Sequence, residues 1–133
     1  MRARTSTLSF ALLMLVSAAV PARAEAPSLP GSYWCQVELG DIVYAPQRCS
    51  IRRTPAGALL FEKLGGSQRF SGVILPTPGG GFRFTGLFFC PYGACDELFE
   101  SDFAPTEDGF RGPIPVDQIV RVTRRRPTRP ATP

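Results

Sequence analysis

Apolar and polar residues alternate with a period of two in one short segment after another, the pattern of half-buried β-strands. In "YWCQVEL", Tyr33, Cys35, Val37 and Leu39 fall on one face, and Gln36 and Glu38 on the other. "RCSIR" continues with Cys49 and Ile51 inward and Arg48, Ser50 and Arg52 outward. "ALLFEKL" (58–64) and "RFSGVIL" (69–75) are the next two strands. After the turn signal "PTPGGG", "FRFTGLFFC" sets Phe82, Phe84, Phe88 and Cys90 on one side. "ELFESDF" does the same with Phe99 and Phe103, and "GFRG" and "DQIVRVT" complete the series, with Val120 and Val122 inward.

Turns recur roughly every eight to twelve residues, and no segment carries a helical 3.6-residue repeat. The 14 prolines also oppose long helices. The fold predicted is all-β: a small antiparallel barrel or sandwich of about seven or eight short strands. There is no internal repeat and no sign of a second domain.

The N-terminus departs from this pattern. Arg2 and Arg4 precede an apolar run, Leu8 to Val20, broken only by Ser9 and Ser17, and "PARA" places small residues ahead of Glu25. These are the three parts of a secretory signal peptide, expected over residues 1–24. The run is short of the roughly 20 residues that span a bilayer, which argues against an anchor. Without the leader, 12 basic and 11 acidic residues remain, and five of those arginines lie between Arg121 and Pro133. Residues 25–120 are therefore net acidic, and the high pI of the whole chain describes its ends. That disfavours nucleic acid as a partner. The expected organisation is a signal peptide, one β-domain over 25–123, and a basic, proline-rich disordered tail over 124–133. The tail offers weak attraction to an anionic surface, although a merely solvated terminus has the same composition.

Four cysteines in an exported chain predict disulfides, and the expected pairs are Cys35–Cys49 and Cys90–Cys95, each bracketing a hairpin loop. Loop closure would favour folding by about 3 kcal/mol for the first and roughly 2 kcal/mol for the second. A four-cysteine zinc site is the rival, but neither spacing is of the C-x2-C type.

The chain contains no histidine, which removes Ser–His–Asp and Cys–His nucleophiles and histidine-based metal sites. Asp96, Glu97, Glu100 and Asp102 could supply a carboxylate pair for glycoside hydrolysis, yet a solvent-facing strand looks the same. No metal, cofactor or enzymatic activity is expected. In "EKLGGSQRFSG" (Glu62–Gly72) no lysine follows the glycines and no helix stands behind them, so a phosphate loop is excluded. A hairpin or bulged turn is expected, with Gly65 and Gly66 supplying φ > 0. Arg69 offers a planar donor fork to an anion, with Glu62 as its structural alternative across the hairpin. Trp34, Gln68 and Arg69 are the candidate ligand contacts.

"EKLGGSQRFSG", with "WCQVELG", "VY" and "CSIR" before it, resembles a family of exported bacterial proteins classed as a domain of unknown function, over about residues 31–86. The resemblance implies export and a small compact domain, and no reaction; "CPYGAC" departs from it. "GSYW" (31–34) resembles the opening of lipocalin-like barrels, which would have Trp34 close one end; the spacing is one residue longer than theirs. The combined expectation is a periplasmic or secreted, non-catalytic module. Its partner would be an envelope protein or ligand, with no transmembrane span in the mature chain. A structural or stress-related envelope protein tethered by the arginine tail is the alternative.

Overall fold

The structure is a computed structural model that describes residues 28–89 and 96–126. The expected leader, the Cys90–Cys95 pair and the end of the tail lie outside the described residues. Among the described residues nine strands form: β1 (Gly31–Leu39), β2 (Ile42–Val43), β3 (Gln47–Arg53), β4 (Leu59–Lys63), β5 (Arg69–Pro76), β6 (Phe82–Phe89), β7 (Glu97–Pro105), β8 (Gly109–Ile114) and β9 (Gln118–Arg124).

All neighbours pair antiparallel, and the sheet closes on itself where β1 meets β9, from Tyr33 opposite Arg124 to Glu38 opposite Ile119. The fold is an eight-stranded up-and-down barrel, with β2 as a short addition beside β1. Between barrel and sandwich, the two architectures that the alternation allowed, this closure decides. It also removes the free edges that β1 and β9 would otherwise present, while β7 and β8 are joined by a short ladder at Ala104 and Pro105 only.

β2 and β3 are one returning strand interrupted by a bulge. Glu38 faces Val43 in one register and Cys35 faces Gln47 in another, so one extra residue is carried between Val43 and Gln47. Pro46, which has no N–H to give a ladder, sits in that interruption. The Gln36 amide spans it by donating to the Tyr44 carbonyl at 3.2 Å.

The interior is a solid of aromatic rings. Phe61, Phe70, Phe82 and Phe84 are fully buried, and Phe61 lies edge-to-face against the other three and against Phe103. Room for the Phe84 ring comes from a facing glycine pair, Gly72 on β5 and Gly86 on β6. A Cβ at either would stand within 3 Å of that ring and of the opposite backbone, so the rings pack where two strands give up their side chains.

Beside the exposed Val73, Leu75 and Leu98, the outer wall carries charges paired with one another: Arg52 with Glu62, Arg83 with Glu100 and Asp102, Arg111 with Glu38, and Arg121 with Asp108 of the β7–β8 turn. This is the reverse of the apolar-out pattern of a lipid-embedded barrel. Among the described residues no helix is long and apolar enough to cross a membrane.

The disulfide Cys35–Cys49 is present, joining β1 to β3 with Cα atoms 5.9 Å apart. The register places Tyr33 opposite Cys49 and Cys35 opposite Gln47, so the bridge runs diagonally across the inner face. The basic segment begins inside the barrel: Arg124 is the last residue of β9, and the Arg125 N–H donates to the Ser32 carbonyl at 3.0 Å. The boundary between body and tail therefore falls later than residue 124.

Candidate functional site

The alternation that buries Leu59 and Phe61 on β4 also turns Lys63 inward, and its side chain is only 1% exposed. The glycine-rich turn closes over it. The ammonium donates to the Gly65 carbonyl at 2.6 Å and to the Gln68 carbonyl at 2.5 Å. Gly66 takes φ 73°, and a Cβ there would press on Gln47 Cγ at 3.2 Å, 3.5 Å from the Lys63 nitrogen. Of the two glycines expected at positive φ, only Gly66 adopts it. The turn is thus a cage for the lysine that precedes it rather than a cradle for an anion.

Burial, reinforced by the nearby Arg69 charge, lowers the Lys63 pKa to about 8. None of the ion pairs among the described residues uses Lys63, and a neutral amine still has the two N–H groups that its carbonyl partners need. Deprotonation then removes an unfavourable buried charge without breaking a hydrogen bond. Between pH 8 and 10.5 the unfolded chain holds the proton that the folded chain has lost, so stability rises with pH. We expect a gain of about 2 kcal/mol between pH 7 and pH 9.5, measured by denaturant unfolding and absent in Lys63→Met. Tyr33 acts in the opposite direction only at higher pH, because burial raises its phenol above the usual value of 10.0.

Gln68 and Arg69 serve this turn. Gln68 contributes its carbonyl to Lys63, and its side-chain oxygen accepts from Ser67 Oγ at 2.8 Å. The Arg69 guanidinium stands over the Phe89 ring at 5.9 Å. It does not pair with Glu62, which accepts from Arg52 at 3.4 Å and from Ser71 at 3.1 Å.

Trp34 lies elsewhere, on β1, with β3 and β4 between it and β5. Its neighbours Tyr33 and Cys35 point inward, so the indole faces out and is 38% exposed, with the Arg125 guanidinium stacked on it at 5.1 Å. It belongs to the outer wall, where it neither closes an end of the barrel nor joins the core. The three candidate contacts are therefore not brought together.

A wide concavity among the described residues opens at the other end from the Lys63 turn, among the β3–β4, β5–β6 and β7–β8 connections and the segment before β1. This mouth has a volume of about 900 Å³, with Leu29, Pro76, Pro78, Pro105 and Phe110 as apolar walls, Arg53 and Arg124 at its edge, and the acids Glu107 and Asp108 on the same lining. Arg124 is held in place from below. It stacks on the Tyr33 ring at 5.1 Å, donates to the Tyr33 hydroxyl at 2.7 Å and also donates to the Ser28 carbonyl. The Tyr33 hydroxyl in turn donates to the Leu29 carbonyl at 2.5 Å. Arg53 donates to the Gly57 carbonyl at 2.9 Å. Neither arginine takes part in the ion pairs among the described residues, so both retain donors for an incoming anion.

Sequence reasoning missed Lys63, Arg53 and Arg124. Lys63 could have been found by carrying the Leu59–Phe61 alternation one step further. Arg53 and Arg124 converge only because β3 and β9 end at the same rim, which no local pattern records.

The carboxylates weighed for catalysis are on the outer wall. Asp102 accepts a bidentate pair from Arg83 at 2.8 Å, which holds its carboxyl below the usual range, and Glu100 pairs with the same arginine at 3.4 Å. Asp96 and Glu97 are exposed. Among the described residues no group of three or more Cys, Asp or Glu side chains is placed to hold a metal. No family model, no curated protein and no solved structure matches this chain.

Proposed function

We propose that this chain is an exported, non-catalytic binding module of the cell envelope that holds its partner in the arginine-edged mouth of the barrel. The observation that carries this reading is the mouth itself. A largely apolar recess of about 900 Å³ carries two guanidiniums, one of them fixed by an aromatic ring and a hydroxyl; of the two acids on its lining, Asp108 pairs with Arg121 and neither Asp108 nor Glu107 pairs with Arg53 or Arg124. Apolar walls with a few convergent polar groups are what a small-ligand or peptide site requires. The leader pattern, the family resemblance and a disulfide in a small barrel support export. A glycosidase-like activity has less to draw on, because Glu100 and Asp102 are engaged with Arg83 on a convex wall.

Affinity isolation from envelope extract tests the reading, with the mature domain as bait beside Arg53→Glu/Pro78→Glu at the mouth and Arg69→Ala at the opposite end. The expected result is a retained molecule that the mouth variant loses at least tenfold and Arg69→Ala keeps. Retention indifferent to the mouth variant would overturn the assignment. So would a hydrolytic activity that disappears on Glu97→Gln or Glu100→Gln.

A second reading, a structural or stress-related envelope protein tethered by its arginine segment, draws on the fixing of Arg124 and Arg125 to the barrel. Envelope retention at low salt that survives Arg53→Glu/Pro78→Glu would select it.

A further inference from the structure

We propose that the outer wall around Trp34 is a docking surface for an anionic phospholipid membrane, separate from the mouth. β1 places Trp34 between Arg48 of β3 and Thr123 of β9, its direct cross-strand neighbours. The Arg125 N–H bond to Ser32 fixes the backbone that carries Arg125 and Arg126 past the same indole. Consecutive arginines thus divide between two surfaces: Arg124 stacks on Tyr33 at the mouth, and Arg125 stacks on Trp34 outside.

Arg48 and Arg126 are exposed, and none of Arg48, Arg125 and Arg126 takes part in the ion pairs among the described residues. Acids on the flanking elements are largely committed, Asp108 to Arg121, Glu38 to Arg111 and Glu62 to Arg52. Glu107 remains, in the groove beside Arg124–Arg126. From Arg121 to the C-terminus the sequence contains no acid.

The chemistry of the patch selects its partner. Guanidiniums match phosphate oxygens with paired donors, and an indole with one edge in water settles at the headgroup layer of a bilayer. The convex wall of a barrel suits a flat partner. A single-stranded nucleic acid would want several free ring faces for its bases, whereas Trp34 is the only tryptophan and Arg125 covers one of its faces.

The sole tryptophan is also the reporter. The mature full-length protein is mixed with vesicles of phosphatidylcholine alone or with an equal part of phosphatidylglycerol, and Trp34 emission and co-sedimentation are followed. Expected is a blue shift and partitioning with the anionic vesicles only, reversed at about 1 M salt, where the screening length is ~3 Å. Each arginine near an anionic surface contributes roughly fivefold, so Arg48→Gln/Arg125→Gln/Arg126→Gln weakens partitioning roughly a hundredfold. Arg48→Gln/Arg126→Gln keeps the stacked pair intact and should weaken it roughly thirtyfold with an unchanged melting temperature. This variant decides the matter if the triple one unfolds. A chain ending at Arg126 should lose no more than roughly fivefold.

Equal partitioning into both vesicle types, no loss in the double variant, or full loss on removing residues 127–133 would each overturn the proposal. An oligonucleotide that binds as tightly as the anionic vesicles and shifts Trp34 equally would also overturn it. None of these variants alters Arg53, Pro78 or Arg124, so the outcome is independent of the mouth.

Discussion

Replacing Phe61 with alanine is expected to destabilise the barrel by about 3–5 kcal/mol, a large share of a net stability that is usually about 5–15 kcal/mol. The ring is completely buried and sits at the centre of the aromatic cluster, with centroids 5.1 Å from Phe70, 5.6 Å from Phe82, 5.8 Å from Phe103 and 6.2 Å from Phe84. All four partners meet it nearly edge-on, so each contact adds a quadrupolar attraction of order 0.5–1.5 kcal/mol to the burial of apolar area. Alanine removes all of these at once and leaves a void walled by rigid rings on β5, β6 and β7, which cannot collapse without moving strands. Phe61→Leu keeps most of the volume and should cost less than half as much. Denaturant unfolding of the two variants checks this. A loss below about 1 kcal/mol for alanine would mean that the interior is filled by something other than the ring cluster.

The strands and the cluster were legible because period-two alternation reports which residues share a face, and phenylalanines repeat on the inward one. Closure was not, since a residue such as Tyr33 alternates in the same way whether its far neighbour is Arg124 in a barrel or nothing in a sandwich. That pairing is set by the tilt and twist accumulated over eight strands, which no single segment contains. Gln68 marks a different limit: sequence reasoning weighs side-chain chemistry, and the group that Gln68 presents to Lys63 is its backbone carbonyl. Trp34 was expected to close one end of the barrel, from the resemblance of "GSYW" to the opening of lipocalin-like barrels. Its parity relative to Tyr33 and Cys35 already assigned it to the outside, and there the stacked Arg125 gives it a partner that the sequence places 91 positions away.

Removing the Cys35–Cys49 bridge is expected to lower stability by about 3 kcal/mol, mainly through the unfolded chain. Both residues lie in the core, so replacing the pair with alanine also deletes two buried sulfur atoms and adds a smaller cavity cost in the folded state. The unfolded chain, by contrast, gains the freedom of the segment that the bond had closed, over a sequence separation of 14. That segment holds the β1–β2 turn and the bulge, where the register slips by one residue and Pro46 breaks the ladder. The bond therefore fixes the strand pair whose own hydrogen bonding is interrupted, and it does so on β1, the strand that also closes the barrel against β9. Cys35→Ala/Cys49→Ala is the variant to measure, because it leaves Cys90 and Cys95 untouched, whereas a reductant would act on any bond between them. An expanded unfolded state should also steepen the dependence of unfolding free energy on denaturant. A stability change without that steepening would place the effect in the folded core instead. A change below about 1 kcal/mol would show that pairing of β1 with β9 holds the seam unaided.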